Sequence, residues 1–186
     1  MEKIAVIDVG TNNVLLLIAR KNGDSVQVLK RKSAISALGR NMKNNKITLS
    51  ALKRLKKILY EYIEYSKLFT SKIIVVGTSC AREAQNSNVI KEWLKKTHSI
   101  YFKIISGEEE AYLNGVANLT DFPNKKMVFF DVGGGSTEFT YVDNGKICRV
   151  FSLKLGIRRL HNDFSDLSNR LKFTKKNLQK LPKQNT

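Results

Sequence analysis

Cysteine is scarce. Cys80 and Cys148 are the only two in 186 residues, which excludes a disulfide-stapled scaffold. They lack CxxC spacing, so neither thiol redox nor zinc chemistry is indicated. Long apolar runs are missing too, and none approaches the roughly 20 residues a membrane helix needs. The opening stretch MEKIAVIDVG carries Asp8 within it and does not read as a signal peptide. The expected location is therefore the reducing cytoplasm, with no membrane partner. Acids are also few: 16 Asp and Glu stand against 33 Lys and Arg, a net charge of +17.

The remaining composition, 42% hydrophobic and 26% charged, is ordinary globular. At roughly 150 residues per domain the chain makes one domain or two small ones. The charge favours an anionic partner, whether nucleic acid, a polyphosphate-type substrate or an acidic surface. From Leu167 onward there are six bases (Arg170, Lys172, Lys175, Lys176, Lys180 and Lys183) and no acid. A nucleic-acid binder is not expected, because there is no helix-turn-helix, aromatic RNA-binding strand or zinc pattern.

Hydrophobic patterning predicts strands over 3–9, 13–20 and 25–33, with a turn at Asn22-Gly23-Asp24. Residues 34–47 read as irregular. Thr48 is a predicted N-cap for an amphipathic helix over 49–68. A strand over 72–77, a short helix starting near 81–83, a Ser87-capped helix over 88–97 and a strand over 100–105 follow. Ser106 and Glu109 have capping-box spacing, opening a helix over 107–119. Asp121-Phe122-Pro123-Asn124 breaks the chain. Strands over 126–132, 138–142 and 146–153 come next, the last two joined by an Asp143-Asn144-Gly145 turn. A helix begins at 157. The order β-β-β-α-β-α-β-α thus restarts as β-β-β-α near residue 127, a partial internal repeat.

Four motifs carry chemistry. In Asp8-Val9-Gly10-Thr11-Asn12, Gly10 lets the backbone approach a phosphate and Thr11 and Asn12 can donate to it. Asp8 at the strand end can hold a hydrated Mg²⁺. By itself such a motif is more often just a plain turn. In Asp131-Val132-Gly133-Gly134-Gly135-Ser136-Thr137-Glu138, three glycines after a buried strand suit a nest of amides facing an anion. A flexible hairpin needs only one or two. The two motifs match each other and, facing across a cleft, would grip a phosphate chain from both sides. Ser106-Gly107-Glu108-Glu109-Glu110-Ala111 places three carboxylates at a helix start, where simple capping competes with a catalytic role. Gly77-Thr78-Ser79-Cys80-Ala81-Arg82-Glu83-Ala84 offers Arg82 as a phosphate clamp, or as a partner of a nearby acid.

Together these motifs resemble those of the Ppx/GppA family of exopolyphosphatases and guanosine pentaphosphate phosphohydrolases, in the actin–Hsp70–sugar-kinase superfamily. DVGTNN resembles the family's DxGSNS-type loop, GTSCAREA its GTSALREA, ISGEEEA its ISGxEEA, DVGGGSTE its DIGGGSTE, and SLKLGIRRL its SLPLGAVRL. Order and spacing agree over residues 3–164. Thr11 and Asn13 stand where the family often has serines, and Cys80 and Lys154 replace commoner small or apolar residues.

The resemblance implies an α/β fold: an actin-like ATPase (ribonuclease H-like) lobe over 1–122, built on a mixed five-stranded sheet with helices. An incomplete second lobe over 123–164 and a basic C-terminal tail over 165–186 would follow. It implies release of terminal phosphate from inorganic polyphosphate or from pppGpp, with Mg²⁺ as cofactor. Asp8, Asp131 and Glu138 would hold the metal. Gly10, Thr11, Asn12, Gly133, Gly134, Gly135, Ser136 and Thr137 would bind phosphate. Arg82 would neutralise chain charge, Glu110 would orient or deprotonate water, and Glu109 would support it or cap the helix. A second lobe of three strands and one helix leaves an unpaired sheet edge, so weak or absent turnover is expected from the chain alone. A second copy or a complementing chain is open as a protein partner. Two other functions compete: a sugar- or acetate-kinase-like ATPase, and a non-catalytic polyphosphate or guanosine-polyphosphate binder.

Overall fold

The computed structural model describes residues 2–23, 25–119, 122 and 126–182. Asp24 of the first predicted turn, Asp121, Pro123 and Asn124 of the predicted break, and Lys183 of the basic tail lie outside them. The chain forms two compact units, Met1–Ile105 and Ser106–Thr186.

The first unit is a five-stranded sheet. Strands β1 (Lys3–Val9), β2 (Asn13–Asn22) and β3 (Ser25–Ile35) form an antiparallel meander. Helix α1 (Leu49–Lys67) crosses over to β4 (Ile73–Gly77), which lies parallel to β1. Helices α2 (Ser79–Glu83) and α3 (Asn88–His98) lead to β5 (Phe102–Ile104), parallel to β4. The order β3-β2-β1-β4-β5 is mixed because tight turns join antiparallel neighbours, while parallel ones need helical crossovers.

The period-2 and period-3.6 patterns meet in one core. Ile7, Val9, Leu16 and Ile18 of the sheet pack with Leu55, Leu59 and Ile63 of α1 and Ile90 and Leu94 of α3. Thr48 caps α1 as expected, its hydroxyl accepting from the Ala51 amide at 3.3 Å. Ser87 precedes α3 as expected but makes no side-chain cap, because its own backbone is already helical.

The second unit is an antiparallel meander of β6 (Met127–Val132), β7 (Thr137–Asp143) and β8 (Lys146–Leu153), in the order β6-β7-β8. The β7–β8 turn puts Asn144 and Gly145 at φ +47° and +72°, the paired left-handed geometry that Asn-Gly favours. Helix α4 (Gly107–Leu119) packs on β7 and β8. Buried Thr140 donates its hydroxyl to the Ala111 carbonyl at 2.6 Å. Gly115 faces the same threonine so closely that a Cβ there would lie 2.4 Å from its methyl. The sequence reading counts α4 with the lobe over 1–122; its packing groups it with the second sheet.

Helices α5 (Ile157–Asp163) and α6 (Leu167–Leu178) complete the unit. Charge alone reads the segment after 165 as a tail, yet most of it is α6. Asp166 caps that helix, accepting from the Asn169 amide at 2.8 Å, and Phe173 packs on Phe164 with ring centroids 5.0 Å apart. Among the described residues no helix is long and apolar enough to cross a membrane.

Candidate phosphate-binding and catalytic residues

Both glycine loops have one construction. In the first unit the Gly10 amide donates to the Asn13 carbonyl at 2.9 Å; in the second the Gly133 amide donates to the Ser136 carbonyl at 2.9 Å. A Cβ on either glycine would come within 3.0 or 3.1 Å of that carbonyl. Asp8 and Asp131, Gly10 and Gly133, and Asn13 and Ser136 correspond at a constant offset of 123 residues. The partial repeat read from the sequence is therefore a repeat of backbone geometry.

What holds the second loop decides what it can bind. The amide of Ile157 donates to the Gly133 carbonyl at 3.1 Å. Those of Arg158 and Arg159 donate to the Gly134 carbonyl at 2.8 and 3.1 Å. Arg159 Nε donates to the Gly135 carbonyl at 2.9 Å. The first turn of α5, whose amides have no intrahelical acceptor, is thus satisfied by the glycine carbonyls. In a trans peptide the C=O and the following N–H point in opposite directions, and the described residues include no cis bond. The amides of Gly134, Gly135 and Ser136 consequently all point away from α5. None has a hydrogen-bond partner among the described residues. Three successive unsatisfied amides on one side are an anion nest.

The first loop follows the same rule with a different backing. The Thr11 carbonyl accepts from the Gly39 amide at 2.8 Å and the Asn12 carbonyl from the Ala37 amide at 2.9 Å, so the Asn12 and Asn13 amides point away from segment 36–39. Thr11 is buried. Asn12 Nδ2 donates to Asn13 Oδ1 at 3.0 Å.

The acids of the second unit converge on one sheet face. Asp131 and Glu138 are directly opposed across β6 and β7, which puts both side chains on the same side. Thr140 lies two residues on from Glu138 and meets α4, so this is the helix-covered face. Asn114 of α4 donates to Asp131 Oδ2 at 3.2 Å, and its own amide oxygen accepts from Asn118 Nδ2 at 2.7 Å. Glu110 precedes Asn114 by four residues and so occupies the same helical stripe, one turn nearer the helix start. Glu138 is buried and accepts from the Ser152 hydroxyl at 2.8 Å. The Glu109 amide donates to Ser106 Oγ at 3.0 Å, so the expected cap is present. Asp131, Glu138 and the Glu110 stripe are thereby brought together; Asp8, Gly10, Thr11, Asn12 and Arg82 belong to the first unit.

Two residues are more committed than their types suggest. Thr137 is buried and gives its hydroxyl proton to the Leu155 carbonyl, so it fixes the loop in place rather than donating to a ligand. Arg82 donates Nη1 to the Ile105 carbonyl at 2.7 Å, which anchors one corner of its five-donor guanidinium.

No group of three or more His, Cys, Asp or Glu residues forms a metal cage among the described residues. Mg²⁺ keeps most of its waters and needs only one or two carboxylates. The opposed pair Asp131 and Glu138 fits that requirement.

Sequence reasoning missed Asn114, Asn118, Ser152 and Arg159. A signal for the first two was present. Glu110, Asn114 and Asn118 recur every fourth residue beside Gly107, Ala111 and Gly115, a polar stripe flanking a small one.

The chain is 27% identical to an exopolyphosphatase from Cytophaga hutchinsonii whose crystal structure it matches with a TM-score of 0.85, covering 95% of this chain and 61% of that one. It is 25% identical to the PPX-GPPA enzyme of Aquifex aeolicus, with a TM-score of 0.78, covering 97% and 64%. The fold is that of an actin-like ATPase lobe with part of a second, as the resemblance implied. A bifunctional 3-dehydroquinate synthase/phosphatase of Fusobacterium nucleatum is 34% identical in a 183-position alignment that covers 90% of this chain and 27% of that protein. The chain therefore spans about a quarter of that relative and about three-fifths of the solved structures. The family model described as the Ppx/GppA phosphatase family matches residues 17–184, nearly the whole chain, and with the paired loops and the acid-bearing helix this chain belongs to that family.

Proposed function

We propose that the chain carries the phosphate-gripping and acid-bearing part of a phosphohydrolase that releases terminal phosphate from inorganic polyphosphate or from pppGpp. The observation that carries this reading is the row of outward amides at Gly134, Gly135 and Ser136, set in the hairpin that also bears Asp131 and Glu138. Phosphoryl transfer demands positioning and charge neutralisation above all, and this hairpin supplies both kinds of group.

In this reading the amides bind the non-bridging oxygens of a phosphate. The Asn13 amide serves the same purpose in the first unit, and the Arg82 guanidinium offsets chain charge. Asp131 and Glu138 would hold a hydrated Mg²⁺ that neutralises phosphate charge when bound. Glu110 positions a water and takes its proton as the water oxygen bonds to the terminal phosphorus. The bridging P–O bond breaks, and the shortened chain leaves with the bond's electron pair. Glu109 supports the helix start.

Release of phosphate from long-chain polyphosphate and from pppGpp, measured side by side, tests the reading and separates the substrates. Glu110→Ala should abolish release while circular dichroism stays unchanged; full activity in that variant would remove Glu110 from the mechanism. Tight polyphosphate binding by the unaltered chain with no release would instead support the non-catalytic binder.

A further inference from the structure

The first unit holds a second basic feature that the phosphate loops do not use. A cavity of about 450 Å³ lies between the end of β3, segment 37–41 and the first turn of α1, within the roughly 300–1,000 Å³ range of small-molecule sites. Its polar lining comes from Arg40, Arg54, Asn41, Thr48 and Ser50, with no acid among the lining residues. Neither Arg40 nor Arg54 pairs with a carboxylate among the described residues. Two arginines without carboxylate partners beside an acid-free cavity leave a positive charge for a ligand to satisfy.

The walls are fixed. Arg54 Nε donates to the Ser36 carbonyl at 3.0 Å, which holds one edge of its guanidinium and leaves the two terminal nitrogens as a fork. Ala37 sits at φ +48°, a left-handed conformation that costs a non-glycine residue energy. Its amide is held by the Asn12 carbonyl. Beyond Asn41, also left-handed at φ +55°, the chain is clamped by Asn86. That side chain takes the Ile47 amide and donates to the Ile47 carbonyl, both at 2.9 Å. A preformed site with planar guanidinium forks suits a phosphate, which accepts two parallel N–H bonds from each.

We propose that this cavity binds a phosphate-bearing polyanion, with Arg40 and Arg54 as its principal ligands and the Thr48 and Ser50 hydroxyls beside them. Segment 36–40 both backs the first phosphate loop and walls the cavity, so an occupied cavity and a filled loop share one backbone. The ligand has two sources: the non-reacting phosphates of a chain bound at the loop, or a separate phosphate compound that acts on the loop from behind. The first source rests on the function proposed above; the site itself does not.

Calorimetric titration with sodium tripolyphosphate at fixed ionic strength tests it, because salt weakens any charge effect. Arg40→Gln should weaken binding about tenfold or more, the loss expected for a charge-assisted contact. Arg40→Lys, which keeps the charge and loses the fork, should fall between. Lys91→Gln on α3 removes the same charge elsewhere and should change affinity less than twofold. Equal affinities for Arg40→Gln, Lys91→Gln and the unaltered chain overturn the site. A raised KM for long-chain polyphosphate in Arg40→Gln, with kcat unchanged, assigns the cavity to the substrate chain. An unchanged KM, with phosphate release altered by tripolyphosphate only while Arg40 is present, assigns it to a separate effector. A chain that binds tripolyphosphate through Arg40 but releases no phosphate counts against the proposed hydrolysis and not against the cavity.

Discussion

Gly156 has the ordinary extended backbone of any residue, φ −136° and ψ +155°, so Gly156→Ala carries no conformational penalty. Its penalty is steric. A Cβ there would lie 2.5 Å from the carbonyl carbon and oxygen of Gly134 and from the carbonyl carbon of Gly135. These are backbone atoms and cannot rotate aside, so either the glycine loop or α5 must move. Overpacking of this kind costs about 1–3 kcal/mol. Moving α5 also loosens the bonds from the Ile157, Arg158 and Arg159 amides to the Gly133 and Gly134 carbonyls, each worth about 1 kcal/mol net. With all three bonds lost the total is about 4–6 kcal/mol, a large share of the 5–15 kcal/mol that holds a typical domain together. Hydrogen exchange is the assay of choice. The Ile157, Arg158 and Arg159 amides should lose protection first, and urea unfolding of the second unit should shift to lower concentration. Unchanged protection of the Arg158 amide in Gly156→Ala would refute both the close approach and the claim that α5 orients the glycine carbonyls.

Two further outcomes follow from particular side chains. His98 is nearly fully buried between Tyr60 and Trp93, with Nδ1 3.8 Å from Glu64 Oε1. Burial pushes its pKa below 6.5, helped by the Lys67 cation and opposed by Glu64. The unfolded chain then binds the extra proton more readily than the folded one. His98 thus adds stability in full above pH 6.5, and that stability is lost as pH falls through the folded value; His98→Gln should flatten this limb of the Trp93-monitored stability curve, and an unchanged limb would show that another group titrates there. Asn114→Ala removes the hydrogen bond that orients Asp131. On the proposed hydrolysis with Mg²⁺, it should raise the Mg²⁺ concentration needed for half-maximal phosphate release by about tenfold, the usual effect of losing an orienting neighbour; an unmoved Mg²⁺ requirement would mean that Asp131 needs no such support.

The elements were legible where one physical signal dominated. Lys3–Val9, Leu49–Lys67 and Lys146–Leu153 follow from apolar runs or helical spacing bounded by Gly, Thr or Asn-Gly. Helix α6 was not, because six bases mask the two features that make it: the Asp166 cap and the Phe164–Phe173 contact. The packing of α4 could not be read either. It depends on a threonine hydroxyl reaching a carbonyl 29 residues back and on the space left by Gly115. The same holds for the site. The family resemblance named Asp131, Glu138 and Glu110, but not the register that puts the first two face to face, nor the Asn114 bridge between Asp131 and the helix bearing Glu110.

The two loops also show why glycine count is a poor guide to phosphate binding. One has a single glycine and the other three, yet both close with the same amide-to-carbonyl bond. They differ in what stands behind them. Segment 36–39 reaches the first loop with backbone amides, and Ala37 can do so only by accepting a left-handed conformation. In the second loop a whole helix start presses against the chain, and Gly156 leaves the room it needs. Gly156 thus answers to the packing of α5 and not to a phosphate. It follows that residues with no reactive group, Ala37 and Gly156 among them, set the direction of the amides, and that a change at either should alter phosphate affinity without touching an acid or a base.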